Sequence, residues 1–121
     1  MAEDNQPDLQ VNGWLKILGI ESLSQWDVLV FLYRHQSVLV NAEHIARFLG
    51  YATAEMIAAL DSLESSGLVE PSRVSQGVRL YQLTAPADPT RHEAFERLMT
   101  FADSHAVRLL LARRLRGQRL P

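Results

Sequence analysis

The sequence has no cysteine, no long apolar run and no excess of basic residues, and each absence narrows what the protein can be. Without cysteine there is no disulfide framework and no thiolate chemistry. The longest unbroken apolar run, Val28–Tyr33, is far too short to span a bilayer, and the acidic start lacks the basic and apolar regions of a signal peptide. We therefore expect a cytoplasmic protein without a membrane partner.

The groupings that support catalysis and metal binding are also missing from the sequence. The 4 histidines are scattered, and none stands at ligand spacing from another. There is no Ser-His-Asp grouping, no carboxylate pair placed for acid–base chemistry and no glycine-rich phosphate loop. We expect no enzymatic activity, no catalytic residues, no metal site and no cofactor.

Charge is distributed unevenly along the chain, although the net charge is only −2. Residues 1–10 contain acidic but no basic residues, whereas residues 105–121 contain arginines and no acidic residue. The arginines of this C-terminal cluster are Arg108, Arg113, Arg114, Arg116 and Arg119. The cluster suits the negative end of a helix, and it is equally suited to contact a DNA backbone or an acidic partner.

The composition is that of one globular domain, since apolar residues make up 47% of the chain. We expect a disordered acidic tail over residues 1–8, and a winged helix-turn-helix domain with an N-terminal helix over residues 9–84. A linker over residues 85–89 would lead to a long dimerisation helix over residues 90–116. A basic tail over residues 117–121 would end the chain.

Hydrophobic periodicity and capping residues predict the order helix, short strand, helix, turn, helix, hairpin and long helix. The predicted helix N-caps are Ser24, Asn41, Thr53 and Thr90, the short strand is Val38–Val40, and Ser75–Gly77 forms the hairpin turn. The fold class is mainly α (α+β): a winged helix-turn-helix with a small antiparallel sheet of Val38–Val40 and the two hairpin strands.

Two small residues mark the centre of the predicted helix-turn-helix. Ala46 would allow the two helices to cross closely, and Gly50 would supply the unusual backbone of the turn. The following Leu63–Val69 segment, Leu-Glu-Ser-Ser-Gly-Leu-Val, resembles the end of the recognition helix in MarR-type winged-helix regulators. Leu83-Thr84 resembles the family's wing closure, and Leu23–Trp26 its entry into the preceding helix. The resemblance covers about residues 23–84 and implies DNA binding by dimers built from terminal helices.

The candidate DNA contacts follow from this resemblance and from residue chemistry. The candidate contacts on the recognition helix are Thr53, Ala54, Glu55, Ile57, Ala58 and Ser62, and Asp61 is a further outward position. The candidate wing and backbone contacts are Arg47, Arg73, Gln76 and Arg79. No lysine or arginine lies between Phe48 and Ser72, whereas this family usually places Arg, Ser and Thr on the outer face of the helix. The acidic and apolar face therefore keeps a second function open, a winged-helix module that binds a protein and not DNA.

The apolar stripe of the predicted long helix favours a homodimer, because one small domain cannot cover so much apolar surface. The stripe consists of Phe95, Leu98, Ala102, Ala106, Leu109 and Leu110. A small-molecule pocket between the terminal helices and the winged domain would be lined by Trp14, Trp26, Phe95, Met99 and Phe101. We assign these five side chains to core packing in preference to ligand binding.

Overall fold

A computed structural model of the chain describes residues 2–36, 39–75 and 78–119. Within these residues the helices are α1 (Ala2–Leu18), α2 (Leu23–Arg34), α3 (Ala42–Leu49), α4 (Thr53–Ser65), α5 (Pro89–Met99) and α6 (Ala106–Arg119). The strands β1 (Val69–Ser75) and β2 (Val78–Leu83) form an antiparallel hairpin between α4 and α5. The predicted mainly helical winged fold with a small antiparallel sheet is therefore confirmed. None of the described helices has the length and apolar character of a membrane span.

Helix α2 forms the centre of the core, and its N-cap lies two residues before the predicted one. The N-cap is Ser22, whose hydroxyl accepts a hydrogen bond from the backbone N–H of Gln25 at 3.2 Å. The side chain of Gln25 accepts one from the Ser22 N–H at 2.9 Å, which completes a capping box. The predicted cap, Ser24, is instead buried inside the first turn. From there Trp26, Leu29 and Leu32 face the core with almost no exposed surface.

The helix-turn-helix begins and turns where the sequence predicts. The Asn41 side chain caps α3 by accepting from the His44 N–H at 2.7 Å. Gly50 ends the helix in the left-handed region, with φ of 83°, and its N–H donates to the Ala46 carbonyl. A Cβ at Gly50 would meet nothing within 4 Å, so the backbone angle and not crowding requires glycine here. Thr53 is the first residue of α4 and not its cap, which is Ala52 without a side-chain hydrogen bond.

The wing is a two-stranded hairpin whose last described pair is Ser75 with Val78. The register shifts between Pro71 and Arg73, as expected where a proline cannot donate to the ladder. Of the predicted third strand, Val38–Val40, the described residues form an isolated bridge between Val40 and Tyr81. On the C-terminal side of Val40 the pairing ends because Asn41 already caps α3. Val38, Gln76 and Gly77 lie outside the described residues.

Two predictions about the ends of the chain are wrong. The expected disordered tail over residues 1–8 is helical from Ala2 onward, as part of α1. The expected long helix over residues 90–116 is two helices, and the first begins at Pro89 with Asp88 as its N-cap. Between α5 and α6 the hydroxyl of Thr100 donates to the Arg97 carbonyl at 2.6 Å. The Thr100 hydroxyl thus competes with backbone N–H groups for a carbonyl at the end of α5, whereas the Ser104 hydroxyl accepts from the Ala106 N–H at the start of α6.

The break between α5 and α6 determines where the two C-terminal helices pack. Helix α5 lies against α1, and α6 folds back onto α2. Leu98 on α5 and Val107 and Leu111 on α6 are fully buried as a result. Three of the six residues assigned to the dimerisation stripe, Phe95, Leu98 and Leu110, are therefore covered within the chain itself.

Candidate nucleic-acid interface

Helix α4 has one face in the core and one face in solvent. Its buried positions are Met56, Ala59, Leu60 and Leu63, which contact α2 and α3. All the predicted outward residues are exposed, namely Thr53, Ala54, Glu55, Ile57, Ala58, Asp61 and Ser62. This periodicity is why the helix can present a continuous surface while holding the domain together.

The exposed face of α4 is acidic and partly apolar. Glu55 and Asp61 are exposed, the helix contains no lysine or arginine, and Ile57 is 43% exposed. On α3, the side chain of Arg47 lies 3.7 Å from the carboxylate of Glu43 one turn earlier. A phosphate would therefore meet unfavourable charge along α4 itself, and attraction must come from its surroundings.

The wing supplies an arginine next to α4, and this arginine has a carboxylate partner. The Nη1 atom of Arg79 on β2 lies 3.6 Å from Oε1 of Glu64 at the end of α4. The sequence predicted Arg79 as a wing contact but did not pair it with Glu64, because the register of the wing relative to α4 depends on packing. The side chain of Arg73 and all of Gln76 lie outside the described part of the interface.

A groove of about 480 Å³ separates the wing from α4 and the start of α3. Its apolar lining includes Ile57 and Val78, both of them more than two-fifths exposed. Glu43, Asp61 and Arg79 bring charge to its edges. The sequence has no local signal for this groove, since its walls come from three separate elements.

The predicted dimer residues divide into buried and exposed groups. Phe95, Leu98 and Leu110 are buried within one chain, so they are core residues and their assignment to an exposed dimer stripe was wrong. Ala102 is half-buried. Ala106 and Leu109 remain exposed on α6, Leu109 at 57%.

The five residues considered for a ligand pocket are largely packed in the core. Trp26, Phe95 and Met99 are buried, and the rings of Trp14 and Phe101 lie 6.3 Å apart between α1 and the end of α5. Among the described side chains, no group of three or more histidine and acidic residues is arranged to hold a metal ion.

A polar network that sequence inspection missed links α2, the helix-turn-helix turn and α6. Arg108 donates from Nε and Nη2 to the two carboxylate oxygens of Asp27, at 2.9 and 3.1 Å. The Tyr51 hydroxyl donates to Oδ2 of the same carboxylate at 2.6 Å. Burial of the phenol, followed by the Asp27 hydrogen bond, raises the pKa of Tyr51 to about 12. The hydrogen bond to Asp27 likewise raises the pKa of Arg108. Because Asp27 and Arg108 are 81 positions apart, no sequence pattern pairs them.

A helix pair joined by a glycine turn, followed by a two-stranded wing, defines a winged helix-turn-helix protein. Residues 18–77 match the model of the MarR family. Over these residues the chain is thus similar to winged-helix regulators of the MarR family, which confirms the resemblance carried by Leu63–Val69.

A solved structure with a similar fold is that of ZitR from Lactococcus lactis, a double mutant in its apo form. The TM-score is 0.51 and the sequences are 20% identical, over 100% of this chain and 85% of that chain. At this identity the similarity concerns the fold. No curated protein matches the chain.

Proposed function

We propose that the chain regulates transcription by binding double-stranded DNA as a homodimer, with α4 in the major groove and the wing on the backbone. The observation that carries this proposal is the exposed face of α4 beside Arg79 in a winged domain of the MarR type. Electrostatic attraction would come from outside α4, from Arg47, Arg73, Arg79 and the C-terminal arginine cluster. Ala54, Ile57 and Ala58 would contribute shape and apolar contact with thymine methyl groups.

The homodimer would form through the terminal helices. Large apolar side chains are still exposed there in a single chain: Leu9 at 67% and Ile17 at 40% on α1, and Leu109 at 57% on α6. A second copy is the simplest cover for such a surface, and a twofold dimer would place two α4 helices on a palindromic site.

A salt titration of binding to mixed duplex DNA tests the proposal. Each neutralised phosphate contributes about 0.9 to the slope of log affinity against log salt, so Arg79→Ala should flatten the slope by about one per engaged subunit. Arg97→Ala removes the same charge from α5, on an element that forms no part of the winged domain's outer face, and should leave the slope unchanged. Glu55→Lys should strengthen binding on all sequences more than Glu93→Lys, its counterpart on α5.

The groove between the wing and α4 supports a second candidate function, docking of a protein segment. Ile57 and Val78 would bury an apolar side chain of the partner, while Glu43 and Asp61 would attract lysines or arginines beside it. Asp61→Lys separates the two functions, because it should strengthen DNA binding and weaken binding of a basic partner. Absence of salt-dependent DNA binding at low ionic strength, with no effect of Arg79→Ala, would favour the protein-docking function.

A further inference from the structure

Polar contacts reach both ends of helix α4 from the two C-terminal helices. We infer that Arg108 of α6 and Arg91 of α5 are positioning residues that hold the orientation of α4 relative to the terminal helices. The inference rests on the proposed function only in naming α4 as the helix that would enter the major groove of DNA. Its test requires no DNA.

The contact at the start of α4 runs through Tyr51 and Asp27. Tyr51 stands two residues before Thr53, the first residue of α4, and its hydroxyl donates to the Asp27 carboxylate at 2.6 Å. The same carboxylate receives both hydrogen bonds of Arg108. The Asp27 side chain is only 14% exposed, so without Arg108 its charge would be largely buried and unpaired. The guanidinium therefore sets where Asp27, and with it Tyr51, can sit.

The contact at the end of α4 is made by Arg91. Its Nη2 donates to the carbonyl of Ser66, the C-cap of α4, and its Nε donates to the carbonyl of Ile17 in the last turn of α1 at 3.3 Å. Carbonyls at helix ends lack partners within their own helix, and a cation there is also favoured by the helix dipole. A Cβ on Gly67 would approach Nη1 of Arg91 to 3.5 Å, which shows how closely the guanidinium lies against this end. One side chain thus joins the ends of α1 and α4 to α5.

The two contacts act at opposite ends of the same helix. Helix α4 has 13 residues, which at 1.5 Å per residue separates its ends by roughly 20 Å. Apolar packing of its inner face allows small rotations and slides, whereas directed hydrogen bonds at both ends oppose them. A displacement of α5 or α6 is therefore transmitted to the direction in which α4 points.

Hydrogen exchange of the full chain without DNA tests this inference. Arg108→Gln and Tyr51→Phe should accelerate exchange of the amides in the first half of α4, and Arg91→Gln those in its last turn. A charge-assisted hydrogen bond lost at a helix end predicts an acceleration of about tenfold. Matched controls are Arg113→Gln on α6 and Arg97→Gln on α5, where Arg97 pairs only with Glu93 one turn away among the described residues. Both controls should leave α4 unchanged.

Comparison with the amides of α2 separates positioning from general destabilisation. Acceleration confined to α4, with partial recovery in Arg108→Lys, supports the inference. The inference is overturned if exchange accelerates equally in α2 and α4. It is also overturned if α4 is protected as well in Arg108→Gln and Arg91→Gln as it is in their controls. Tyr51→Phe removes a single hydroxyl and keeps the test valid if an arginine variant does not fold. Failure of DNA binding would leave these outcomes unaffected.

Discussion

The pairing of Arg79 with Glu64 predicts that the wing arginine is partly withheld from phosphate. At a separation of 3.6 Å, two unit charges attract by about 1.2 kcal/mol in water-like surroundings. Because both side chains are partly exposed, the net attraction is smaller, on the order of 0.5 kcal/mol after screening and loss of side-chain freedom. Glu64→Gln should therefore tighten DNA binding about twofold per engaged subunit, or about fivefold for a dimer that engages both wings.

The assay is fluorescence anisotropy with a labelled duplex at several salt concentrations. Glu93→Gln is the matched control, since Glu93 pairs with Arg97 on α5 at the same 3.6 Å and its loss changes the net charge equally. The gain from Glu64→Gln should shrink toward 1 M salt, where the Debye length falls to about 3 Å. It should also shrink in an Arg79→Ala background. Equal affinities for the Glu64→Gln and Glu93→Gln variants, or a gain that persists in full without Arg79, would refute the reasoning.

Three further predictions concern stability and assembly. The pKa of Tyr51 is raised from 10.0 to about 12, so the folded state retains a proton that the unfolded state releases. The part of the folding free energy that comes from this pKa difference is fully present below pH 10 and is lost as the pH rises toward 12. In urea denaturation, the Tyr51→Phe variant should therefore lose less stability between these pH values than the unmodified protein. Leu60 is fully buried in α4, so Leu60→Ala should lower the free energy of unfolding by about 2–5 kcal/mol in the same assay. Leu109→Glu should weaken the proposed homodimer at least about tenfold in sedimentation equilibrium, whereas Ile57→Glu on α4 should leave it intact; an unchanged dimer in Leu109→Glu would remove α6 from the interface.

The sequence by itself determined the helix-turn-helix and the solvent face of α4. Asn41 caps α3 and Gly50 ends it with a left-handed residue. Both features can be predicted from the sequence because they depend on bonds or angles within a few residues. The exposed and buried positions of α4 follow from helical spacing, which is also a local property. Leu63–Val69 carried the family resemblance because its glycine and apolar residues encode the end of α4 and the start of the wing.

Tertiary structure decided the arrangement of the terminal helices and the charges around α4. Thr100 and Ser104 mark a break in the predicted long helix, but the sequence does not reveal that α6 then folds back onto α2. The partners of Asp27, Arg79 and Arg91 are likewise distant along the chain, so their pairing depends on how complete helices pack. Caps and periodicity act over one or two turns and can be inferred locally, whereas contacts between distant segments exist only once the core has formed.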